Sequence, residues 1–80
     1  MVTFNNTQIE VIEKITRLSK MDWLIIDEKG RCRDTDNGMR VLSPKKAIRN
    51  IIDGVPYDTF SALTPFEMGV FLSIISRVLE

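Results

Sequence analysis

From about Asn6 to Met21 the apolar positions recur with a helical period. At about 100° per residue, Ile9, Val11, Ile12, Ile15 and Leu18 gather on one side, with Glu10, Glu13, Lys14, Arg17 and Lys20 opposite. The pattern predicts an amphipathic helix capped by Asn6 or Thr7, with Glu10 three residues after Thr7 completing a capping box. The period then shortens. Trp23, Leu24, Ile25 and Ile26 form a β-rich apolar run ending at Glu28-Lys29-Gly30, a tight turn whose glycine suits positive φ. Arg31 to Asp34 would return as an antiparallel partner, and Asn37-Gly38 signals a second turn before Met39 to Leu42. A short β-hairpin or three-strand meander is therefore expected.

Ser43-Pro44 offers a cap and a helix-compatible proline, so a second helix is expected over 44–53, with Gly54 as its left-handed terminator. Ala47, Ile48, Ile51 and Ile52 line its buried side, and Lys45, Lys46, Arg49 and Asn50 face outward. Val55-Pro56-Tyr57 breaks this helix, 58–62 reads as one irregular turn, and Thr64-Pro65 repeats the cap-plus-proline start. The last helix runs from 65 nearly to the end. The result is an α+β fold: an N-terminal amphipathic helix, a small sheet and two C-terminal helices, in a single domain over 1–80.

The final helix is unusually apolar. Val70, Ile74, Val78, Phe71, Ile75, Met68, Leu79 and Leu72 sweep an arc of about 200°, where a surface helix needs about 100°. Gly69, Ser73 and Ser76 lie opposite, with Arg77 and Glu80 at the end. Such an arc requires cover from more than one direction, either from the first two helices or from a partner. Phe66, Met68, Phe71, Ile75 and Leu79 are the interface candidates, and the small face permits close approach of a second copy across a two-fold axis.

Length strengthens that expectation. A chain of 80 residues buries only about two-thirds of its unfolded surface and gains little net stability alone. Hydrophobic content of 44% with 28% charge suits a folded domain. Eleven basic and eleven acidic residues cancel, so no global field draws the chain to nucleic acid or an anionic membrane. The N-terminal MVTFNNTQIE lacks a basic leader, and no apolar run approaches about eighteen residues. A cytoplasmic protein is expected.

Candidate chemistry is sparse. DTDNG, residues 34–38, resembles part of a calcium loop, but with Gly38 as sixth residue the first and third are Arg33 and Thr35 and the twelfth is Pro44. The chain has no histidine and a single cysteine, Cys32, which is read as a small hydrophobe rather than a nucleophile. Glu67 is the one carboxylate in an apolar setting, and its place in a first helical turn explains it as a dipole partner. The four glycines are too scattered for a phosphate loop. No catalytic residue, metal or cofactor is expected.

These patterns predict a non-enzymatic accessory or regulatory protein, of inhibitor or adaptor type, that binds another protein or a second copy through its C-terminal helix. The alternative is a nucleic-acid-binding regulator using Lys45, Lys46 and Arg49, joined by Arg31, Arg33 and Arg40. Helix 44–53 and the segment after it outline a helix-turn-helix, which Pro56 and the short second element weaken. The layout is common among small bacterial and phage proteins, and a shared layout transfers no function.

Overall fold

The computed structural model describes residues 3–79. Met1 and Val2, part of the stretch read for a leader, and Glu80, assigned to the polar end of the last helix, lie outside the described residues. The elements are α1 (Asn6–Leu18), β1 (Leu24–Ile26), β2 (Cys32–Asp34), a 3-10 turn (Thr35–Asn37), β3 (Arg40–Leu42), α2 (Pro44–Gly54), α3 (Tyr57–Ser61) and α4 (Pro65–Leu79). The layout is α+β, with one antiparallel sheet ordered β1-β2-β3. One element is added to those expected: the segment read as an irregular turn is the short helix α3.

Helix α1 begins earlier than expected because Asn5, not Asn6 or Thr7, closes its end. The Asn5 side chain accepts from the Gln8 amide at 2.8 Å, and the Gln8 side chain accepts from the Asn5 amide at 2.9 Å. Phe4, just before the cap, is buried, and Ile9 packs against the same cluster, which staples the chain entry to the core. The other end stops at Leu18. Lys20 takes a left-handed φ of 61° while the Met21 amide donates back to the Thr16 carbonyl at 2.9 Å, a Schellman closure without the usual glycine.

In the sheet, Cys32 lies between Ile26 and Leu42, and Arg33 between Ile25 and Val41. Alternation of side chains turns the Cys32 row to the core and the Arg33 row outward. Gly30 makes the first turn at φ 79°, as expected. The second turn is longer than Asn37-Gly38. Asp34 accepts from the Asp36 amide at 3.0 Å and from Asn37 Nδ2 at 2.6 Å, and both Gly38 and Met39 are left-handed. Met39 therefore belongs to the turn, not to β3.

Ser43 caps α2 by accepting from the Lys46 amide at 3.2 Å. Gly54 does not terminate it in a left-handed conformation; the helix includes Gly54 and ends on extended Val55. Both α1 and α2 pack on α4. Ile12 and Ile15 from α1, Ile48 and Ile51 from α2 and Ile74 from α4 are fully buried, so the core is an isoleucine centre shared by three helices. Thr64 caps α4, accepting from the Glu67 amide at 3.2 Å, while Glu67 accepts from the Thr64 amide at 2.8 Å and from Lys14 Nζ at 2.7 Å. One carboxylate thus completes a capping box and joins α1 to α4.

Candidate protein-binding groove

The core covers the middle of the apolar arc on α4 and leaves its edges open. Phe71 and Ile74 are buried, Met68, Val70, Ile75, Val78 and Leu79 are half-buried, and Phe66 and Leu72 are 69% and 55% exposed. On the edge facing α2 and α3, Met68, Phe71, Leu72 and Ile75 join Ile52, Val55, Tyr57 and Phe60 around an open groove of about 330 Å³. The side chains that line it are apolar apart from the phenol of Tyr57.

The groove follows from local chemistry. Pro56 ends the path of α2, and the chain turns at once into α3, which brings Tyr57 and Phe60 to the groove. Phe60 reaches inward and stacks on Phe71, with ring centroids 5.4 Å apart. Tyr57 remains outside, 89% exposed. Ile52, expected in the core, is 40% exposed because it sits at the margin of the buried stripe of α2. Leu18, likewise expected inside, is 45% exposed at the end of α1.

The five interface candidates are divided by this geometry. Met68 and Ile75 line the groove, and Leu79 lies half-buried farther along α4. Phe66 faces a separate depression, beside Asn5, Thr7, Gln8 and Val70. Phe71, at 2% exposure, belongs to the core and forms the floor of the groove. Ile52, Val55, Tyr57, Phe60 and Leu72 are the groove residues that the sequence reading did not select. A signal was present in the Tyr57-Phe60 spacing directly after a proline, which reads as a short helix start.

The basic residues also fall apart. Asp27 Oδ2 accepts from both Arg31 Nε at 3.0 Å and Arg33 Nε at 2.8 Å, and Arg33 Nη1 also donates to the Met39 carbonyl at 2.8 Å. Both guanidinium groups are therefore committed to the hairpin. Arg40 is exposed on β3. On α2, Lys45, Lys46 and Arg49 are all exposed; Lys45 lies nearest Ile52 around the helix, and Arg49 sits between Lys45 and Lys46. Among the described residues none of Lys45, Lys46 and Arg49 forms an ion pair.

Titration behaviour follows from these contacts. The Arg31 amide, the Arg33 guanidinium and further donors hold the Asp27 carboxyl far below the usual range. Lys14, then the Thr64 amide, lowers that of Glu67. Burial, assisted by the negative charge of Asp27, pushes the Cys32 thiol up to about 11. The two acids are anionic partners, and the thiol is protonated at neutral pH. Among the described residues no three His, Cys, Asp or Glu side chains converge as for a metal ion, and no helix is long and apolar enough to cross a membrane. No family model, curated protein or solved structure matches the chain.

Proposed function

We propose that this chain is a non-enzymatic protein-binding protein of the accessory or regulatory kind, and that it associates with a second copy through the groove between α2, α3 and α4. The observation that carries the reading is the apolar groove itself, with Tyr57, Leu72 and Ile52 at 89%, 55% and 40% exposure around one depression. Contiguous exposed apolar side chains of this kind favour a partner, and an exposed aromatic beside a pocket is the usual form of an interface anchor. The neutral chain sets no charge barrier between copies. A cytoplasmic location belongs to the same reading and is supported by the single free cysteine.

The test is light scattering after size-exclusion chromatography, from micromolar to millimolar protein. The parent is expected to be a dimer, and Leu72→Asp to raise its dissociation constant at least about tenfold while leaving the circular dichroism spectrum unchanged. Leu72 is the residue to change because its exposure spares the fold, whereas Phe71→Asp would place a charge in the core. A monomer at every concentration, or a Leu72→Asp dimer as tight as the parent, would reject self-association through this groove. Binding to nucleic acid is less well supported, since Arg31 and Arg33 already share the Asp27 carboxylate.

A further inference from the structure

The groove has two different ends. At one stands Tyr57, nearly fully exposed and without a cation beside it among the residues that line the groove. Towards the other, beyond the residues that line the groove, run Arg49 and Lys45, one and two helical turns before Ile52 on α2, exposed and without an ion pair among the described residues. No acidic side chain lines the groove. An aromatic face and a guanidinium or ammonium group attract each other, and here each protomer carries Tyr57 on one side of Ile52 along the chain and Arg49 and Lys45 on the other.

Resting on the self-association proposed above, we infer that two copies meet groove to groove about a two-fold axis near Leu72 and Ile52, with α4 of one running antiparallel to α4 of the other. Tyr57 of each then lies against Arg49 and Lys45 of its partner. A two-fold interface uses the same patch twice, so every complementary pair is formed twice. The parallel alternative places the two basic ends together and leaves both tyrosines without cations, so charge selects the antiparallel arrangement. Leu72 meets its own copy on the axis, where the neighbouring Gly69 adds no side chain and has open space around it.

A double-mutant cycle on the dimer dissociation constant tests the arrangement. Tyr57→Ala, and Lys45→Gln with Arg49→Gln, are each expected to raise that constant between about twofold and thirtyfold. Combined, they should raise it by less than the product of their separate effects, because they remove the same contact. A second measurement reads the geometry directly. In a Cys32→Ala background, mixed Tyr57→Cys and Arg49→Cys proteins should cross-link to each other through a short bismaleimide more than either does to itself, while Leu72→Cys should cross-link to its own copy. A dimer in which the substitutions multiply independently, or in which Tyr57→Cys cross-links mainly to itself, overturns the antiparallel arrangement while self-association stands. A parent protein that remains monomeric overturns both, and its capture by a different protein would assign the groove to that protein.

Discussion

Gly30 lies where the first hairpin turn meets the start of the chain. Its φ is 79°, and a Cβ built on it would sit 2.9 Å from the Phe4 carbonyl oxygen. Backbone conformation and space both exclude a side chain there, so Gly30→Ala should lower the unfolding free energy by about 1–3 kcal/mol, read from urea denaturation. Cys32 gives a second expectation at this scale. It is buried, and its thiol is pushed up to about 11, so a thiol reagent at pH 8 should label the native protein slowly and the urea-unfolded protein at once. Rapid labelling without denaturant would mean that β2 opens readily or that the thiol is not enclosed as described.

Among the elements, α4 depends on Glu67 both for its cap and for its tie to α1. A carboxyl held below its ordinary value stabilises the fold fully above the unfolded value, near about 4.3, and loses that contribution as pH falls through the folded value. Stability of the parent should therefore fall more steeply below about pH 4.3 than that of Glu67→Gln, whose side chain carries no charge to lose. Equal slopes would show that Lys14 and Thr64 do not hold the carboxylate in solution. The elements themselves were largely legible beforehand. Helical periodicity gave α1 and α4, the Ser43-Pro44 and Thr64-Pro65 pairs gave two helix starts, and Gly30 gave a turn, because each signal depends on neighbours in sequence. The cap of α1 was misplaced because the choice between Asn5, Asn6 and Thr7 is made by burial of Phe4, a tertiary contact. The groove was missed for the same reason. Helical angle alone puts Ile52 and Phe71 on apolar faces, and only the path of α3 decides that one is exposed and the other covered.

For the whole molecule, self-association would couple folding to concentration. A small core built from three helices and a short sheet leaves the groove as additional apolar surface to be withdrawn from water. The melting temperature should therefore rise with protein concentration in the parent and stay constant in Leu72→Asp, as differential scanning calorimetry would show. A concentration-independent parent would place all the stability within one chain. The one-turn helix α3 has a different consequence. Thr59 and Phe60 anchor it inward, while Tyr57, Asp58 and Ser61 point to solvent, and no side chain caps its start at Pro56. Its outward positions are thus free to vary without disturbing the isoleucine centre. A designer could rewrite those three residues to redirect the protein to a new target, and a lineage could do the same by drift, since recognition and foldability are written in different letters of one short segment.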